Sequence, residues 1–253
     1  MRISKTLLQR SSVPGILFIA CLLGLGIGGV SLKVQTSTGK QTNGPRIQNR
    51  TQSFEVAQVI PIVGENGAVG LSLRNRYNKN ITACAVSVNG SITEVDFAFS
   101  ELEDQRGISP DSVYELKCSF ARHVSRSAAR QSLDISILAV VFDDKTGDGD
   151  PKFVTEILDT RLGSKIQITR IIALLSNALS LPGVPDEAVV DTLKARISSL
   201  PIDSASSTSE TEREGLRNQK SDAVRRLESH TFRNPQERIQ TLKDIYESLA
   251  GRL

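Results

Sequence analysis

Six stretches between residues 54 and 142 alternate apolar with polar positions, and each stops at a turn signal. FEVAQVIPIV breaks at Gly64-Glu65-Asn66-Gly67, and AVGLSLRNRY sets Val69, Leu71 and Leu73 on one side before Asn78-Lys79-Asn80. ITACAVSV ends at Asn89-Gly90, a dipeptide whose tolerance of positive φ suits a two-residue hairpin. SITEVDFAF follows directly, with Val95, Phe97 and Phe99 on one face and acids on the other. SVYELKCSF comes after Pro110-Asp111, and LDISILAVVF closes the series as its most apolar member. Six segments of period two at this spacing predict an antiparallel β-sandwich.

Beyond residue 150 the period becomes helical. Phe153, Val154, Ile157 and Leu158 share a face, Gly163 reads as an interruption, and Ile168, Ile171, Ile172, Leu175 and Leu179 resume the stripe. Pro182 and Pro185 punctuate the chain, and Asp186 to Leu200 reads as a further helix with Val189, Val190, Leu193 and Ile197 along one side. PIDSASSTSETE has the low complexity of a hinge. The last segment reads as a helical hairpin. Leu216, Ala223, Val224 and Leu227 make a thin stripe on a highly charged helix, and Asn234-Pro235 opens the next with a cap and a first-turn proline. There Ile239, Leu242, Ile245, Tyr246 and Leu249 recur at heptad-like spacing. Two such stripes make a poor core alone, so this face is the candidate for docking on the sandwich, a second copy or a partner.

The N-terminus changes the picture of where such a domain sits. Arg2, Lys5 and Arg10 precede an uncharged stretch from Val13 to Leu32. As a helix, about 20 residues at 1.5 Å each match a bilayer core of about 30 Å. This predicts a single-pass anchor. A cleaved signal peptide is the rival reading, and a lipoprotein modified at Cys21 a third. Ala20, Gly24 and Gly28 fall on one helical stripe, a spacing that lets membrane helices associate. Residues 33–53 are polar and basic without an acid, the composition of a tether, and Lys33, Lys40, Arg46 and Arg50 could touch anionic headgroups. A basic leader before the span favours export of the rest to the periplasm or cell surface.

Composition narrows the chemistry. The chain has 253 residues and a net charge of +3, so bulk charge does not point to nucleic acid. Arg122, Arg126 and Arg130 form a basic loop with His123 that could hold an anion, but no aromatics interleave for base stacking. The only other histidine is His230, which leaves little for a zinc site or a histidine-dependent nucleophile. No glycine-rich phosphate loop, G-x-S-x-G or C-x-x-C occurs, and no catalytic residue or cofactor is assigned. Cys84 and Cys118 would form one disulfide in an oxidising compartment, or else pack as small hydrophobes. Sequons stand at Asn49, Asn80 and Asn89.

FDDKTGDGDP, residues 142–151, raises the question of calcium, with Asp144, Asp148 and Asp150 as the candidate ligands. Its twelfth loop position falls on Thr155, one short of Glu156, and the stretch follows a strand instead of a helix. The competing reading is a strand-to-helix turn in which Asp150 caps a helix beginning at Pro151.

The strand series over residues 54–142 and the helix after it resemble uncharacterised bacterial envelope proteins with one immunoglobulin-like sandwich. The likeness covers residues 54–180, lacks the Trp and cysteine spacing of antibody domains, and implies no activity. The expected organisation is a leader and anchor or signal (1–32), a linker (33–53), a mainly β sandwich (54–150), helices packed on or after it (151–200), a hinge (201–212) and a helical hairpin (213–253). The expected function is a membrane-anchored, extracytoplasmic binding or assembly module with a protein partner or self-association and no nucleic acid. The alternatives are an envelope hydrolase using carboxylates, betrayed by a pocket of acids with perturbed pKa, and a structural spacer, betrayed by a C-terminal hairpin buried wholly within its own chain.

Overall fold

All six alternating stretches form strands, and two strands that the pattern does not announce complete the sheets. The computed structural model describes residues 45–61, 68–100, 106–119, 133–203, 209–229 and 234–253. The strands are β1 (Arg46–Asn49), β2 (Phe54–Pro61), β3 (Ala68–Asn75), β4 (Ile81–Val88), β5 (Ser91–Asp96), β6 (Val113–Ser119), β7 (Asp134–Phe142) and β8 (Gly147–Gly149). The helices are α1 (Pro151–Ser180), α2 (Glu187–Ser198), α3 (Glu210–Leu227) and α4 (Pro235–Arg252). More residues lie in helices than in strands, so the expected mainly β class gives way to mixed sheets and helices.

One sheet runs β1-β7-β4-β5, with β8 also on β7, and the other runs β2-β3-β6. Asn89 and Gly90 both adopt positive φ, 50° and 82°, and close the β4–β5 hairpin expected of that dipeptide. Strand β7 pairs with β4 along one edge. Its other edge is shared end to end: β1 lies parallel along Asp134–Ile137, and β8 returns antiparallel along Ala139–Val141. The C-terminal part of the stretch read as a tether is therefore a strand. Its residues have weak β preference, and the open edge of β7 supplies the pairing that decides the matter.

Inward residues of both sheets share one core, with Phe54, Leu71 and Leu73 from one and Ile81, Val86, Ile135 and Ile137 from the other. The opposite face of the larger sheet is covered by the first half of α1. There Ile157, Phe153, Val154 and Leu158 lie on Ala83, Ala85, Leu138 and Val141. Burial on both faces explains why β7 is apolar almost throughout.

The second half of α1 leaves the sheet and enters a helical core. Ile168, Ile171 and Leu175 meet Val190, Leu193 and Ile197 of α2, Ala223 and Leu227 of α3, and Ile239, Leu242 and Tyr246 of α4. Ala98, in a 3-10 turn at Phe97–Phe99 that continues β5, joins the same core. All described residues belong to one compact unit, Thr42–Leu253. Two readings of the helices are corrected by this arrangement. Gly163 does not interrupt α1, which runs unbroken for 30 residues. And α3 and α4 pack chiefly on α1 instead of forming a hairpin of their own.

Gly163 marks where α1 crosses α3. A Cβ at Gly163 would stand 2.0 Å from the carbonyl oxygen of Glu212, and one at Gly215 would stand 2.2 Å from that of Thr160. Only glycine on both helices permits so close a crossing. Nearby, Arg161 fastens α1 to the sheet. It donates through Nε and Nη2 to the two oxygens of Asp96 at 2.8 Å each, and through Nη2 to the carbonyl of Thr82 at 2.9 Å. The Arg161 side chain is only 7% exposed.

Candidate functional site

The aspartate-rich stretch 142–151 is a hairpin and a helix start. Lys145 takes the left-handed φ of 67° in the β7–β8 turn, and its Nζ donates to the carbonyl oxygen of Leu253 at 2.7 Å. Asp144 accepts from Lys79 and from the amide and hydroxyl of Thr146, contacts that hold its carboxyl down at about 2. Burial pushes Asp148 up, but the Ser53 hydroxyl and the amides of Gln52, Ser53 and Gly149 outweigh it and leave the carboxyl below its ordinary value. Asp150 caps α1 through the amide of Lys152 and pairs with Arg50 at 2.9 Å. The three carboxylates point to three different sets of donors. Among the described residues no three His, Cys, Asp or Glu side chains are placed to hold a metal ion.

What this stretch does is fix the link between β1 and β2. Asp148 and Asp150 hold residues 50–53, and Asn49 accepts from the amide and hydroxyl of Thr51 while donating to the carbonyl of Phe54. The side chain of the Asn49 sequon is thus already engaged. Gly149 is needed here, with φ of 109° and room for a Cβ only 2.4 Å from the Leu138 carbonyl oxygen.

Cys84 and Cys118 are free and buried, on opposite sheets of the same core. The disulfide considered for them is not formed. Sheets packed face to face stand about 10 Å apart, whereas a disulfide joins Cα atoms about 4.4–6.8 Å apart. Burial pushes the Cys84 thiol up to about 12 and raises Cys118 as well. A thiol that stays protonated is a poor nucleophile. Neither should react with a water-soluble maleimide in the folded protein, and both should be labelled in urea, as read by mass spectrometry of their peptides. Labelling of Cys84 in the native protein would contradict this packing.

The stripe on α4 is also committed. Ile239, Leu242, Tyr246 and Leu249 are buried and Ile245 is half-buried, all in the helical core of the same chain. The Tyr246 hydroxyl donates to the Gln219 carbonyl at 3.2 Å, and burial raises its pKa. These residues are therefore not an outward interaction face, because α1, α2 and α3 supply the cover that the hairpin lacked. Arg122, Arg126 and Arg130, with His123, lie outside the described residues, as do Cys21, the stretch 13–32 and His230. Among the described residues no helix is long and apolar enough to cross a membrane.

Carboxylates gather instead around β5 and the starts of α1 and α3. A shallow groove of about 530 Å³ between these helices is lined by Glu156, Asp159, Ser209, Glu210 and Thr211. Its acids are in use. Asp159 accepts from the Ser209 hydroxyl at 2.7 Å, and Arg217 holds Glu210 below the ordinary carboxylate range. A general acid needs the opposite shift. Among the described residues the raised carboxyl is Glu94 on β5, lifted first by burial and then by Glu156, Glu214 and Asp96. It does not line that groove. The alternation of SITEVDFAF places Glu94 on an acid-bearing face, but only the fold brings Glu156 and Glu214 towards it.

The sign of this shift gives a test. Glu94 is disfavoured as a carboxylate only in the folded chain, so its contribution is full below its unfolded pKa near ~4.3 and is lost as pH rises through the raised value. Glu94→Gln should raise Tm slightly at neutral pH and leave it unchanged near pH ~3.5, below that unfolded value. A lower Tm at neutral pH would show that the carboxylate is a stabilising contact.

No protein-family model matches the chain, and no curated protein and no solved structure matches it.

Proposed function

We propose that the chain is a membrane-anchored, extracytoplasmic binding module built on an immunoglobulin-like core. The observation that carries this reading is the placement of the two edges of the larger sheet. The chain is fastened at one edge, through β1 on β7 and the Asp148 and Asp150 contacts, while β5 forms the other. Strands stand about 4.8 Å apart, so three spacings put β5 about 14 Å across the sheet from the tethered side. A body held rigidly at one edge presents the opposite one. The immunoglobulin-like reading is supported by strand order. Lettering β2 to β8 as A, B, C, C′, E, F and G gives A-B-E facing C′-C-F-G.

The stretch Val13 to Leu32 and its basic leader support the anchor and the exported side. The test is labelling of Lys152→Cys, a position 71% exposed on α1, with a membrane-impermeant maleimide in spheroplasts. Cys84 and Cys118 are buried and Cys21 falls within the proposed anchor, so the unsubstituted chain gives a low background. Labelling of the membrane-bound protein before lysis is expected. Labelling only after lysis would put the module in the cytoplasm and overturn the reading.

A structural spacer is the second reading, favoured by the burial of the α3 and α4 stripes within their own chain. It predicts that the module keeps its distance-setting role when surface residues of β5 are changed.

A further inference from the structure

Strand β5 is an edge strand among the described residues. It pairs with β4 and, among the described residues, with no strand beyond it. An edge strand offers unpaired N–H and C=O groups to any extended chain that can reach them. All six β5 residues are half-buried or exposed, and Ile92 is 52% exposed. Ile92, Glu94 and Asp96 follow at two-residue spacing on the face that α1 partly covers. Asp96 is taken by Arg161. Glu94 has no such partner among the described ion pairs, while Glu156 from α1, itself 3.8 Å from Lys152, and Glu214 from α3 are near enough to disfavour its charge.

We propose that this edge accepts an extended segment of a partner protein as an added strand, with an apolar side chain beside Ile92 and a lysine or arginine two residues away beside Glu94. The inference rests on the binding-module reading and names the chemistry of its partner. Main-chain hydrogen bonds supply affinity in such additions, and alternate side chains supply specificity. The charge also decides against a second copy. Two β5 edges paired about a two-fold axis would bring both sets of carboxylates together, and like charges across strands repel. Protection of an edge from aggregation needs one outward charge, whereas here acids from three separate elements converge.

The test uses fluorescein-labelled, capped octapeptides of alternating valine and threonine, carrying isoleucine and lysine two residues apart. Fluorescence polarisation would follow their binding to the full chain in mild detergent. The lysine peptide should bind about tenfold tighter than a twin with glutamate in its place, the change expected for reversing one cross-strand charge. A twin with alternate amides N-methylated should not bind. Glu94→Gln should cut the advantage of lysine by about fivefold. Because that variant is expected to be no less stable, its loss of discrimination would not reflect misfolding. Absence of binding by the lysine peptide at about 1 mM would overturn the proposal. So would equal binding of the glutamate twin, or binding that survives N-methylation. Such a failure with labelling still on the outer side would remove this partner alone, whereas labelling only after lysis would remove the module reading itself.

Discussion

Gly163→Ala is expected to lower stability by about 3 kcal/mol or more, and Gly215→Ala by a similar amount, at or beyond the usual range for overpacking. The new methyl would stand 2.0 Å or 2.2 Å from a backbone oxygen of the other helix, and backbone cannot step aside as a side chain can. The helices must separate, which loosens contacts of α3 with α1 along their length. Alanine raises intrinsic helix propensity by about 1 kcal/mol over glycine, so the two effects oppose and the clash wins. Urea unfolding of each variant checks this. A stability gain of the size expected from propensity alone would mean that α1 and α3 do not cross here.

Asp96→Ala is expected to cost about 3 kcal/mol, the lower end of the range for stripping one partner from a buried pair, because the Asp96 side chain keeps 21% exposure. Arg161, whose side chain is 7% exposed in the intact protein, is left with the Thr82 carbonyl and hydroxyl as its acceptors. The substitution also removes the cap that Asp96 gives the 3-10 turn through the amide of Ala98. The double variant Asp96→Ala with Arg161→Met should recover much of that loss, because the orphaned charge is gone and the methionine fills the space. A double-mutant cycle by denaturant unfolding measures the coupling. Additive losses would show that the two side chains act independently and that α1 is held to the sheet by its apolar face alone.

The sequence was most legible where local and tertiary preferences agree. Strands β2, β3 and β6 alternate because one face of their sheet is turned to the core, Asn89-Gly90 suits the turn it makes, and Asp150-Pro151 starts a helix as that pair should. It was least legible where the fold overrides local preference. Residues 46–49 and 147–149 contain only one strongly β-favouring side chain, Ile47, and become strands because β7 has an edge to share. Gly163 looks like a break because a helix crossing and a helix stop call for the same residue. The α4 stripe announces that Ile239 to Leu249 must be covered, but periodicity does not say by what. The cover comes from α1, which lies about sixty residues away, and from small residues of α3 such as Ala223 that carry little pattern. Glu94 is visible as an outward acid, while its crowding by Glu156 and Glu214 depends on three elements meeting.

The measurement that bears most directly on the whole account is equilibrium urea unfolding followed by two probes together, helical circular dichroism and maleimide labelling of Cys84 and Cys118. The thiols report the core between the sheets, and the dichroism reports chiefly α1 to α4. If α1 ties the helical core to the sheets, through its apolar first half, the Arg161–Asp96 pair and the glycine crossing, the two transitions coincide. If the dichroism falls while both thiols remain protected, α3 and α4 come away as a separate arm. Their apolar stripes would then be free to recruit a partner, contradicting a module whose binding surface is the edge of β5.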